Sequence, residues 1–153
     1  MSDSIRVEGA ERLHVVAKQL KEMGDKETTK AMTKGIREAL KPFKAELKQS
    51  ALATLPRRGG LARMVANTKI TNRTSTTRSG ASVRVRGVNA SARGQLALMD
   101  KGKVRHPLYG NRSVWVTQSV HPGWWSTPAN AQLPKIRSEV MHAIEQAAKR
   151  IGA

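Results

Sequence analysis

The stretch QLALMDKGKVRHPLYGNRSVWVTQSVHPGWWSTP, residues 95–128, decides how this chain is read. It holds all three tryptophans (Trp115, Trp124, Trp125) and the only tyrosine, Tyr109; the fifth aromatic residue, Phe43, lies far upstream. Aromatic rings bring the largest burial per residue, so their concentration here marks a core knot or a contact surface. Residues 95–99 read as a strand ending at Asp100. Residues 101–112 read as a basic loop and 113–120 as a second strand, with Val114 and Val116 sharing a face against Trp115. His121, Pro122 and Gly123 form a turn.

Downstream, Leu133, Ile136, Val140, Ile144, Ala147 and Ile151 recur at three- and four-residue spacing, which predicts an amphipathic helix over 127–151. Thr127 is its candidate cap with Pro128 at the first helical position, and Pro134 is an alternative start. Upstream, residues 65–71 and 81–88 read as strands. In the latter Val83 and Val85 face inward and Arg84 and Arg86 outward. Residues 74–80 form a polar loop.

Before Pro56 the chain is helical. Leu13, Val16, Leu20 and Met23 make one stripe; Gly24 ends that helix and Asp25 caps the next. The second stripe runs from Met32 through Ile36, Leu40, Phe43, Leu47 and Ala51 to Leu55. Pro42 predicts a kink or break near Glu38. The order of helices, about four strands and a helix, without alternation, predicts one α+β domain over 1–153. It comprises a helical region (1–56), a mainly antiparallel sheet with basic loops (61–121), and a C-terminal helix packed on that sheet. The loops at 57–60, 74–80 and 101–112 are each polar, basic and glycine-bearing, and are expected to be the mobile parts.

The formal net charge is +17 and is concentrated in the middle of the chain. Residues 51–112 carry 13 Lys/Arg, ten of them Arg, against the single acid Asp100. Arginine's planar fork suits phosphate and carboxylate, so this field predicts either a polyanion or an acidic protein surface as neighbour; a solvated arginine-rich face is the plainer alternative. With no cysteine there is no disulfide framework and no thiolate metal site. No apolar run reaches the length of a membrane span or a secretory leader, so no membrane partner is expected.

The same composition argues against catalysis. His14, His106, His121 and His142 have no ligand spacing, and a metal site would need Asp100, His106 and His121 brought together by folding. Acid–base chemistry needs positioned carboxylates or histidines, and Asp100 is the only acid between Glu46 and Glu139. Arg58, Gly59 and Gly60 lack the Gly-Lys-Ser/Thr of a phosphate loop. No enzyme activity and no cofactor are expected.

Three blocks go together: LPRRGGLA (55–62), LMDKGKVRHP (98–107), and YGNR (109–112) continuing through Trp115, Val116 and Val120 to PGWW (122–125). With a helix before and an amphipathic helix after, they resemble the small head–tail joining or tail-completion proteins of long-tailed bacteriophages, over about residues 30–151. The resemblance implies a structural virion protein assembled in the host cytoplasm. It would form a homo-oligomeric ring, six-fold, in the neck between head connector and tail tube. The implied partners are connector, stopper, tail-tube or tail-terminator proteins, with nonspecific contact to DNA in the lumen. A tail-terminator ring is the nearest alternative, and a sequence-nonspecific nucleic-acid-binding protein a more distant one. The candidate interface or DNA-facing residues are Arg57, Arg58, Arg84, Arg86, Lys101, Lys103, Arg105, Arg112, Trp115, Trp124 and Trp125, with Arg73 and Arg78 on neighbouring loops. In an extended segment Trp124 and Trp125 point to opposite sides, one inward and one toward a neighbour. Either could be the interface anchor.

Overall fold

The computed structural model describes residues 4–7, 11–77, 80–92 and 94–152, with side chains for 14–73, 84–92 and 94–152. Arg78 and the side chains of Leu13 and Val83 lie outside that set. The fold is α+β: a short N-terminal strand that the sequence pattern did not predict, then helices, strands in the middle and a C-terminal helix. In order the elements are β1 (Ser4–Val7), α1 (Glu11–Met23), α2 (Lys26–Ala39), α3 (Lys41–Thr54), α4 (Leu61–Ala66), β2 (Lys69–Thr77), β3 (Gly80–Val88), α5 (Leu96–Asp100), β4 (Lys103–Leu108), β5 (Asn111–Ser119) and α6 (Ser126–Arg150).

The strands form two sheets where one was expected: three strands in the order β1-β3-β2, and the pair β4-β5. β2 and β3 are neighbours in the first sheet, and strands this close in sequence pair antiparallel, since parallel pairing needs a crossover of a dozen or more residues. The 74–80 stretch, read as a loop, is mostly strand, since β2 reaches Thr77 and β3 begins at Gly80. Thr74, Thr76 and Thr77 are strand-favouring residues.

The chain divides into two compact units. One is built chiefly from Ile5–Phe43, Asn72–Val85 and Gln132–Ala153. Its core takes Val16 and Leu20 from α1, Met32 and Ile36 from α2, then Leu40 and Phe43, with Ile136, Val140 and Ile144 from α6. Met23, expected on the α1 stripe, is exposed at the helix end. Asp25 caps α2 as expected: its carboxylate accepts the Thr28 N–H at 2.9 Å and the Thr28 hydroxyl at 2.7 Å. The break caused by Pro42 falls at Leu40, between α2 and α3, which puts the proline in the first turn of α3, where a missing N–H costs little. Gly35 on α2 meets α6 closely; a Cβ there would lie 2.9 Å from Ala143 Cβ.

The other unit comprises chiefly Lys44–Thr71 and Arg86–Ala131. Leu47, Ala51 and Leu55 continue the buried stripe along α3, and Ala62 and Val65 of α4 join Leu96, Met99, Val104 and both Trp124 and Trp125. The strand expected at 65–71 starts later, at Lys69, because Val65 and Ala66 belong to the short helix α4, which Asn67 caps. The strand expected at 95–99 is a helix: Leu96 and Met99, three apart, are both buried, and that spacing brings them to one side only in a helix. Trp125, just before α6, packs against β3 at Gly87, where a Cβ would meet Thr68 Cγ2 at 3.1 Å and Trp125 Cζ3 at 3.2 Å.

Candidate functional site

The basic stretch 101–112, read as a projecting loop, is a β-hairpin. β4 and β5 pair antiparallel with Lys103 opposite Ser119, Arg105 opposite Thr117 and Pro107 opposite Trp115, and a bulge follows Pro107. Tyr109 and Gly110 reverse the chain with φ of 47° and 79°. Positive φ at both central positions is the type I′ geometry that matches strand twist. Glycine takes it freely; tyrosine does not. Tyr109 is also 99% exposed, so this strained residue stands at the tip with its ring in solvent.

Two side chains anchor the hairpin at its base. The Gln95 amide donates to Arg105 O at 2.8 Å and accepts the Arg105 N–H at 2.7 Å, pairing with β4 as a neighbouring strand would. Asp100 joins the end of α5 to the start of α6. Its Oδ1 accepts the backbone N–H of Trp125 at 2.8 Å and of Ser126 at 2.9 Å, and its carbonyl accepts the Gly123 N–H at 2.9 Å. The Thr127 N–H reaches Gly123 O at 3.2 Å, and Pro128 has no N–H to satisfy. The free donors at the start of α6 are thereby taken up, with a carboxylate at the positive end of the helix dipole. Asp100, not Thr127, is the capping group, and Pro134 lies inside the helix.

Trp124 and Trp125 are corrected as interface candidates. They are 1% and 4% exposed, and their rings meet edge to face at 5.6 Å between centroids. The segment is a turn entering a helix, not an extended strand, so neighbouring side chains need not oppose each other. Trp124 Nε1 donates to Leu96 O at 3.2 Å, which satisfies its one polar atom. Trp115 is the exposed tryptophan, at 38%. It lies opposite Pro107, its Nε1–H bonds to Arg112 O at 2.8 Å, and the Arg105 guanidinium stands 5.8 Å from its ring centroid, within cation–π range. Val114 shares its exposure and Val116 is half-buried, so the valines of β5 do not turn inward together.

Lys101, Lys103, Arg105 and Arg112 are all exposed; Lys101 sits at the C-cap of α5, and the hairpin carries the other three together with Trp115 and Tyr109. Gln95, Leu98, Arg105 and Trp115 frame a shallow depression of about 300 Å³. The other cations stand on separate elements. Arg57 and Arg58 are exposed in the turn before α4, with Arg57 Nε on Leu52 O at 3.4 Å. Arg84 and Arg86 are exposed on β3 with Val85 buried between them, as the alternation predicts. Arg73 is exposed on β2.

Among the described residues no three His, Asp or Glu side chains converge as metal ligands. Asp100 is engaged by backbone N–H groups, while His106 Nδ1 and His121 Nδ1 lie 3.1 and 2.9 Å from the carbonyls of Pro107 and Pro122. Among the described residues no helix is long and apolar enough to cross a membrane. Sequence reasoning missed Gln95 and Tyr109. The Tyr-Gly pair before Asn111 was the available signal for a tight turn. Nothing local marks Gln95, whose partner Arg105 is ten residues away.

The chain was compared with protein-family models, curated proteins and solved structures, and none matches it.

Proposed function

We propose that this chain is a non-enzymatic structural protein of a tailed-phage virion, forming a homo-oligomeric ring in the neck that joins the head connector to the tail tube. The observation that carries the reading is the hairpin. Three exposed cations, a fully exposed Tyr109 and the half-exposed Trp115 stand on an arm whose base is fixed by Gln95 and Asp100, with Lys101 exposed beside that base. Exposed aromatic residues beside arginine are the composition of an interface anchor. The block from His106 to Trp125, on which the resemblance rests, folds as one piece, with an exposed arm at one end and a buried tryptophan knot at the other. Cations of this kind fit acidic partner rings, or DNA passing a lumen, without reading sequence.

Cryo-electron microscopy of the tailed particle tests the proposal. The expected result is a ring of this chain between head and tail tube, and its absence from the particle overturns the reading. The Arg105–Trp115 pair favours a second reading, a nonspecific nucleic-acid-binding protein that stacks bases on the exposed ring. That reading expects the isolated protein to bind DNA with a steep salt dependence, and it fails if the isolated protein does not bind DNA even at low salt or binds only once assembled.

A further inference from the structure

The two edges of the hairpin are treated differently. Gln95 takes both backbone groups of Arg105, so those groups point away from β5. Arg105 is opposite Thr117; the pair is therefore a non-hydrogen-bonded one, and Thr117 likewise turns its N–H and C=O away from β4. Trp115 and Ser119 share that parity. The hydrogen bond from Val120 N to Gly102 O at 2.8 Å keeps the same alternation. On the β4 side the outward positions are Lys103, Arg105 and Pro107: one charged, one covered by Gln95 and one with no N–H. Charge, cover and proline are the devices that keep edge strands from pairing. On the β5 side the outward positions are Trp115, Thr117 and Ser119. All three are exposed, and among the described residues no strand pairs with that edge.

Charge names the occupant. Residues 113–119, SVWVTQS, contain no Asp, Glu, Lys or Arg. β5 itself has one cation, Arg112, ahead of this segment; the other strands carry Arg6 in β1, Lys69 and Arg73 in β2, Arg84 and Arg86 in β3, and Lys103 and Arg105 in β4. Copies of a chain with net charge +17 repel wherever cations face cations. Residues 113–119 against the same residues of a second copy make a strand pairing in which neutral residues meet on both sides. We propose that two copies of this chain join through the outer edge of β5, antiparallel, with Thr117 on the two-fold axis. Thr117 then faces its own counterpart and Trp115 faces Ser119 of the other copy, so the three outward residues of each strand are all bonded. The contact is isologous and adds a strand to each hairpin, converting two marginal ribbons into one four-stranded sheet. It rests on this edge alone and not on the neck reading.

The chain has no cysteine, so a single substitution gives a clean cross-link. Facing residues in a hydrogen-bonded antiparallel pair have Cα atoms about 5.5 Å apart, within disulfide reach. Purified Thr117→Cys under mild oxidation is expected to give a disulfide-linked dimer, whereas Tyr109→Cys, at the solvent-exposed tip, gives only slow collisional product. Sedimentation equilibrium of the unaltered protein is expected to show a concentration-dependent dimer. Thr117→Lys puts a cation on the axis and Thr117→Pro removes the central N–H. Neither disturbs a bond within the hairpin, and both are expected to leave a folded monomer. The proposal is overturned if the unaltered protein is monomeric, if it associates equally with lysine at 117, or if Thr117→Cys cross-links no faster than Tyr109→Cys. The last outcome together with loss of association in Thr117→Lys would assign the edge to a different strand of the neighbour.

Discussion

Asp100 Oδ1 accepts the backbone N–H of Trp125 at 2.8 Å across 25 residues of chain, so the acid that closes α5 also starts α6. Between the two elements lies the whole hairpin. Its feet are held together from outside by one carboxylate, and its β4 edge by one carboxamide, that of Gln95.

Replacing Asp100 with Ala should lower stability by about 0.5–2 kcal/mol, the usual cost of losing a helix cap, whereas Asn, an equally good cap, should cost much less. Denaturant melts of the two variants check this. Equal losses would mean that the charge, not the oxygen acceptor, matters.

Gly35 sets two effects against each other. Gly to Ala in a helix interior ordinarily stabilises by about 1 kcal/mol. Here the new Cβ would stand 2.9 Å from Ala143 Cβ, and overpacking costs about 1–3 kcal/mol. Gly35→Ala should therefore destabilise, and pairing it with Ala143→Gly should recover much of the loss. A double-mutant cycle measures the coupling directly.

Tyr109 holds φ at 47° in a turn that favours Asn-Gly. Tyr109→Asn should relieve strain of about 1 kcal/mol and raise the melting temperature, while removing the exposed ring. In the neck reading, particles carrying the variant should then join heads to tails less efficiently although the protein itself is more stable. Unchanged joining would show that the ring is not a contact.

How legible these features were depends on how each residue is used. The helices were legible because Met32, Ile36, Leu40, Phe43 and Leu47 all point into a core and so display their period, and because Asp25 caps α2 through a residue three positions on. β3 was legible because Val85 is buried between exposed arginines. The hairpin was not, because a ribbon exposed on most of both faces has no burial alternation to write into its sequence; eight of the nine residues of β5 are exposed. Residues 95–99 contain both an alternation, Leu96 with Leu98, and an i, i+3 pair, Leu96 with Met99. Only the buried contacts of Met99 decide for the helix. The tryptophan pair was misread through the assumption of an extended backbone, which the Asp100 cap replaces with a helix start.

Asp25 supplies a pH dependence. The Thr28 hydroxyl, then the Thr28 N–H, holds its carboxyl below the usual carboxylate range. The folded pKa is thus depressed relative to the unfolded one. The stabilisation is therefore fully present above the unfolded value and is lost as pH falls through the folded one. Melting temperatures of the unaltered protein and Asp25→Asn should differ by a constant amount above about pH 5 and converge in acid. A gap that persists at the lowest pH would contradict the linkage.

The cations of the hairpin carry the last prediction. Each phosphate contact contributes about 0.9 to the slope of log K against log salt on duplex DNA. If Lys103 and Arg105 both touch phosphate, Lys103→Gln with Arg105→Gln should flatten that slope by about 1.8. Arg105 also stands over the Trp115 ring, so Trp115→Ala should weaken binding to single strands, where bases can stack, more than to duplex. Titrations over a range of salt separate the two terms. Should the double substitution leave the slope unchanged while disrupting head–tail joining, the hairpin's charge serves an acidic protein surface and not nucleic acid.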